Sequence, residues 1–261
     1  MNEHIISQDS NPTLVSESLT TAPAMARRSY KQFYGLTPAL DIVGERWTLL
    51  IVRELATGPK RYSDLTSALR GIGTNLLATR IKRLESDHVL CRRLLDPTSS
   101  VVVYELTDIG QDLAYATVPL AVWGARHYMN DGVRTADSYK PEWLLTLIAG
   151  HMHRPAHIDR PFECEFRIDD TVARIRIGDS DRAEIIHETT RSEPDITTEP
   201  DVTLTLGSTT AAALVGGRLT LDDALKDGHL TTAGDPSTCA SLLHDWEHQL
   251  VNQLETIRVR Q

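Results

Sequence analysis

Cysteines and long apolar runs are scarce in this chain of 261 residues, and each scarcity excludes something. Cys91, Cys164 and Cys239 are an odd, scattered set. They give neither a disulfide framework nor a zinc-ligand spacing, and they read as small apolar side chains rather than sensor thiols. No apolar run approaches the roughly 18 residues that a membrane helix needs, so no membrane partner is expected. Residues 1–10 carry no basic segment followed by an apolar core, so export is not expected and the location is read as cytoplasmic. Also absent are Gly-x-Ser-x-Gly, His-Glu-x-x-His, a phosphate-cradling glycine loop and a dinucleotide fingerprint. The expectation is therefore no enzyme and no cofactor. His151, His153 and His157 form the one conspicuous ligand cluster. No cysteine or carboxylate stands at a zinc-site spacing from them and Pro155 interrupts the run, so they read as a solvated loop without metal. Asp222-Asp223 is read as first-turn helix charge.

What is present is ordinary globular material, 41% hydrophobic and 24% charged, and long enough for two domains. The net charge of −9 is unevenly spread. Residues 27–93 hold 13 Lys or Arg against 6 Asp or Glu, a net +7, whereas residues 134–261 hold 13 against 22, a net −9. A basic first half carries the electrostatic signature of phosphate binding; an acidic second half would be repelled by DNA.

Residues 1–26, rich in Ser, Thr, Asn and Pro, show no period and read as a disordered tail. Leu36, Leu40 and Val43, then Trp47, Leu50, Ile51 and Leu55, follow helical spacing in two helices hinged near Gly44, with Trp47 on the buried stripe of the second. Gly58-Pro59 ends that helix, and Leu65 and Leu69 mark a short third one. Gly71-Ile72-Gly73 makes a turn before a fourth, for which Thr74 is a suitable N-cap. Residues 89–95 and 101–106 are β-prone runs around a turn at 96–100, and residues 107–130 read as a closing helix capped by Thr107 or Asp108 and kinked at Pro119. That order is a winged helix-turn-helix over residues 27–133. Residues 134–140 read as a linker, and residues 141–261 as an α+β domain. In the latter, 141–150 looks helical and 162–168, 172–177 and 202–206 look like strands. Helices follow at 209–215, 221–226 and 237–256. Alternation of Ile175 and Ile177 with Arg174 and Arg176 predicts one buried and one wet sheet face.

At about 100° per residue, Leu77, Ile81 and Leu84 form the buried stripe of the fourth helix. Asn75, Thr79, Lys82 and Arg83 then point outward, donors and acceptors beside cations, as a helix in a major groove requires. Asn75 and Thr79 are the expected base readers: Asn bonds adenine bidentately, and Thr offers a hydroxyl or a methyl. Arg80 on the flank, Thr74, Lys60 and Arg61 at the start of the third helix, and Arg92 and Arg93 at the wing complete the predicted DNA-binding set. Phe166, Ile175, Ile177, Val202, Leu204, Leu206, Leu242 and Trp246 read either as the lining of a tunnel for an apolar effector or as the plain core of a domain used for dimer contacts.

The runs Met25-Ala-Arg-Arg-Ser-Tyr, Leu40-Asp-Ile-Val-Gly-Glu-Arg-Trp-Thr-Leu-Leu-Ile-Val-Arg-Glu-Leu, Gly58-Pro-Lys-Arg-Tyr-Ser-Asp-Leu and Gly71-Ile-Gly-Thr-Asn-Leu-Leu-Ala-Thr-Arg closely resemble the HxlR family of winged-helix transcriptional regulators. The resemblance covers about residues 25–130. It implies a homodimer, formed mainly by the first and last helices, that binds an inverted-repeat operator on double-stranded DNA. Many relatives carry a cysteine ahead of the first helix. Here that stretch is Gln32-Phe33-Tyr34-Gly35, so thiol sensing at that place is not expected. Pro200-Asp-Val-Thr-Leu-Thr-Leu, Gly216-Gly-Arg-Leu, Ala224-Leu-Lys-Asp-Gly-His-Leu and Thr232-Ala-Gly-Asp-Pro look like a sterol carrier protein-type domain. That resemblance implies a sheet and helices around an apolar tunnel, and an apolar small molecule as effector. The competing class is a lipid or small-molecule carrier whose helical half serves only to dimerise.

Overall fold

The computed structural model describes residues 30–96, 98–129, 140, 142–149, 158–178, 183–186 and 199–257. The expected tail at 1–26, Pro97 at the wing tip, most of the expected linker, and His151, His153 and His157 lie outside them. The chain divides into two compact units, residues 1–41 and 42–261. In the first, the chain from Tyr30 leads into helix α1 (Leu36–Val43), whose last two residues fall in the second, and the Tyr30 N–H donates to Asp41 Oδ1 at 3.3 Å.

The second unit continues with α2 (Thr48–Ala56), α3 (Tyr62–Ala68), α4 (Thr74–Ser86), an antiparallel hairpin β1 (Leu90–Leu94) and β2 (Val102–Leu106), and the long α5 (Asp108–Tyr128). Ile51, Val52, Leu55, Leu65, Leu69, Leu77, Ile81 and Leu84 are buried in one core with Val89, Leu90, Leu106 and Ala114. Three expectations need correction. Trp47 precedes α2 as its N-cap residue, at φ 79°, and is only partly buried against that core. Thr74 is the first residue of α4, and Gly73 stands at the N-cap. Lys60 does not begin a helix: its N–H and carbonyl exchange hydrogen bonds with Tyr104 at 2.9 and 2.8 Å, adding a bridge beside β2. Of the two caps expected for α5 it is Thr107 that serves, its hydroxyl accepting from the Gly110 N–H at 3.2 Å, and Pro119 lies inside the helix.

After α6 (Glu142–Ala149) come β3 (Phe162–Ile168), β4 (Thr171–Ile177), β5 (Ala183–Ile186), β6 (Val202–Leu206), α7 (Ser208–Val215), α8 (Leu221–Lys226), β7 (Leu230–Gly234) and α9 (Pro236–Ile257). The sheet runs β5-β4-β3-β6-β7, with β3 and β6 parallel and the other pairs antiparallel. β5 and β7 escaped sequence reading because one is four residues long and the other buries only Leu230. Period-2 alternation sends Phe162, Cys164, Phe166 and Ile168 to the core face. The opposite face is less wet than expected. Glu163 and Glu165 are buried there beneath Arg176 and Arg174, their register partners on β4. Arg174 Nη2 lies 2.7 Å from Glu165, and Arg176 Nη2 lies 2.5 Å from Glu163. Buried carboxylates are tolerable only when paired in this way.

Helix α5 belongs to both cores. Ala114 packs in the first, while Val118, Val122 and Ala125 pack with Leu144, Leu145, Phe162 and the sheet in the second. The Arg218 guanidinium donates to the Ala125 carbonyl at 3.0 Å. Val118 and Val122 are therefore covered by the chain's own C-terminal half.

Candidate nucleic-acid interface

The turn before α4 depends on Gly71, whose φ of +92° is a left-handed conformation that suits glycine. From α3, the Tyr62 hydroxyl donates to the Thr74 carbonyl at 2.8 Å and ties the two helices together. Nothing in the sequence around Tyr62 signals that role, because the acceptor is backbone twelve residues away. With Leu77, Ile81 and Leu84 locked into the core, the outward side of α4 presents Asn75, Leu76, Ala78 and Lys82, all exposed, and Thr79 and Arg83, half-buried.

The ten predicted DNA-binding residues divide by what already holds them. Asn75, Lys82 and Arg61 are exposed at the surface, as is Arg92, whose Nε is only 3.8 Å from Glu85. Such a long, exposed pair constrains little. Thr79 donates its hydroxyl to the Asn75 carbonyl at 2.8 Å, which leaves its methyl and lone pairs for recognition. Arg80 is turned inward: its guanidinium meets Glu45 at 2.8 Å and is 15% exposed, so it braces α4 against the turn between α1 and α2. Arg93 lies 2.7 Å from Glu105 across the hairpin and also donates to the Leu94 and Leu95 carbonyls. Arg83 sits 3.9 Å from Asp87 one turn on. Thr74 is exposed at the start of the helix, and Lys60 is half-buried at its bridge. Arg61 caps α3, where its N–H is already taken by Asp64 Oδ2 at 2.9 Å. The helix start expected to attract phosphate thus carries its own carboxylate. Arg46, exposed with its guanidinium 5.4 Å from the Trp47 ring centroid, is a cation that the helical pattern did not single out.

At the wing tip, the Thr98 hydroxyl and N–H donate to Asp96 at 2.6 and 2.8 Å and hold its carboxyl below its usual range. The tip therefore carries an anion. None of the three thiols is activated: burial raises Cys91, with Glu105 adding to the effect, and burial raises Cys164 and Cys239. Among the described residues, no group of three or more His, Cys, Asp or Glu could hold a metal ion, and no helix is long and apolar enough to cross a membrane.

The eight predicted lining residues of the C-terminal half are all buried in the second core. Trp246 packs edge-on to Phe166, centroids 6.2 Å apart, and its buried Nε1–H has no hydrogen-bond partner among the described residues.

Sequence reasoning also missed a junction around Glu54, which is 2% exposed on α2. It accepts from Arg53 at 2.8 Å, from Trp143 Nε1 at 2.9 Å and from Lys140 Nζ at 3.1 Å. The Arg53 guanidinium lies 3.5 Å from the Trp143 ring centroid. Burial lowers its pKa, and Glu54 partly offsets that. The only sequence signal is a carboxylate at a helix position flanked by core residues.

The winged arrangement of α2 to β2, with one outward helix beside surface cations, defines a helix-turn-helix protein. A family model for the HxlR-like helix-turn-helix matches residues 42–132. The HTH-type transcriptional regulator YodB of Bacillus subtilis (strain 168) is 34% identical over 85 residues, which is 33% of this chain and 76% of YodB. The uncharacterized HTH-type transcriptional regulator YvaP of the same strain is 35% identical over 85 residues, 33% of this chain and 79% of YvaP. A solved structure of the reduced form of YodB shares 31% identity and covers 37% of this chain and 93% of that one, with a TM-score of 0.33. The chain belongs to the HxlR family of helix-turn-helix regulators, and it carries an additional α/β region beyond the matched segment.

Proposed function

We propose that this protein is a transcriptional regulator that binds an inverted-repeat operator on double-stranded DNA as a homodimer, through the outward face of α4. The observation that carries this reading is the exposure of Asn75 and Lys82 on a helix whose other face is locked in the core, within a segment of net positive charge. Exposed Arg61 and Arg92 are placed to contact phosphate, whereas Arg80 and Arg93 act by holding the fold. Dimerisation is supported by α5: Ala116, Leu120, Trp123 and His127 recur at steps of three and four on its exposed side. Two-fold symmetry then matches an inverted repeat. The reading assigns no catalytic role to either half.

The C-terminal half is proposed to be a sterol carrier protein-type effector module. Trp246 supports this, since a buried indole N–H without a partner is a ready donor for an amphipathic molecule entering an apolar core. Its route to DNA is α5, which is shared by both cores. An effector shifts operator binding only by the difference between its affinities for the two states. Gel shifts of the full chain on its own upstream DNA test the core of the reading. Asn75→Ala should cost about 1–3 kcal/mol on the retained sequence and spare random duplex. Equal loss on every duplex would remove Asn75 as a reader.

A further inference from the structure

Resting on that DNA-binding reading, we propose that α4 recognises a thymine by its C5-methyl group through the side-chain methyl of Thr79, beside an adenine held by Asn75, so that each half-site carries an A·T-containing core. The Thr79 hydroxyl spends its proton on the Asn75 carbonyl at 2.8 Å, which leaves the methyl as the uncommitted end of this half-buried side chain. The flanking surface is apolar. Leu76, one helical turn back, is 37% exposed, and Ala78 is exposed beside it. Leucine and alanine cannot exchange hydrogen bonds with a base edge, yet both stand where base contacts are made, near the N-terminal end of the helix. In the major groove, the feature that suits an aliphatic surface is the thymine methyl. Asn75 and Lys82 are among the exposed polar residues of this helix, and asparagine is the side chain whose amide matches adenine N6 and N7.

The test starts from two random duplex libraries, one made with thymidine and one with deoxyuridine, each selected against the full-length protein. Sites enriched from the thymidine library should share an A·T core. Replacing one particular thymine of the enriched duplex by deoxyuridine should weaken binding about fourfold, the equivalent of one buried methyl at ~0.8 kcal/mol. Two variants separate methyl from hydroxyl. Thr79→Val keeps the methyl and should preserve the fourfold preference, whereas Thr79→Ser keeps the hydroxyl and should abolish it. The opposite pattern, or a preference that survives in both variants, overturns the assignment of Thr79 while leaving DNA binding intact. A protein that enriches nothing from either library overturns the DNA-binding reading and this inference with it.

Discussion

The Glu54 junction yields the sharpest energetic prediction. Glu54 is buried on α2, and two of its donors, Lys140 and Trp143, arrive from the far side of the chain's midpoint. Trp143→Phe removes the N–H···carboxylate bond and keeps most of the ring beneath Arg53. A hydrogen bond to a charged group is worth about 1.5–3 kcal/mol, and that is the expected cost. Glu54→Gln removes the charge shared by Arg53 and Lys140. Breaking a buried pair costs about 3–5 kcal/mol, and the lower end applies because Lys140 is 40% exposed and already screened. If Trp143 and Glu54 act as one unit, the double variant should be less destabilised than the sum of the singles by about 1–2 kcal/mol. Urea denaturation of the four proteins, followed by circular dichroism, measures the cycle. At about 2–4 °C per kcal/mol, thermal melts should show the same ranking. Additivity to within about 0.3 kcal/mol would show that the contact does not couple α2 to α6 energetically, and would remove it as a route between the two halves.

Gly110→Ala should destabilise the winged region by about 1–3 kcal/mol or more, measured by urea titration, because the added Cβ would sit 1.9 Å from the Val89 carbonyl oxygen. Leu204→Ala, at a fully buried position in the middle of β6, should cost about 2–5 kcal/mol in the same assay. Asp235 caps α9, accepting from Ser237 and Thr238, and these bonds hold its carboxyl at about 2. A carboxylate depressed from 3.8 adds stability above that value and loses it as pH falls toward about 2. Melting temperature should therefore drop more steeply between pH 4 and about 2 in the wild type than in Asp235→Asn; equal slopes would contradict the cap. Trp123→Asp should lower the mass seen by light scattering if the exposed side of α5 carries the dimer, and an unchanged mass would exclude that face.

Much of the architecture was legible in the order of residues because its determinants are local. Gly58-Pro59 ends α2 and Gly71-Ile72-Gly73 precedes α4, apolar steps of three and four mark the helices, and Thr107 caps α5 through an atom three residues away. The buried stripe of α4 followed from spacing alone, so the outward set could be named in advance. Tertiary structure decided which members of that set are available. Arg80 and Arg93 are as cationic as Lys82 and Arg92, and nothing local distinguishes them. What diverts them is a carboxylate brought close by folding, Glu45 from 35 positions away and Glu105 from 12. The same holds for Val118 and Val122, whose apolar surface is evident in sequence but whose covering partner is not. It holds also for Glu54, which would be ruinous to bury alone and becomes tolerable because the neighbouring Arg53 is joined by Lys140 and by Trp143, 89 positions later. Periodicity reports which side of an element is apolar; the pairing of charges and the sharing of α5 between two cores depend on contacts between distant segments, which one-dimensional spacing does not encode.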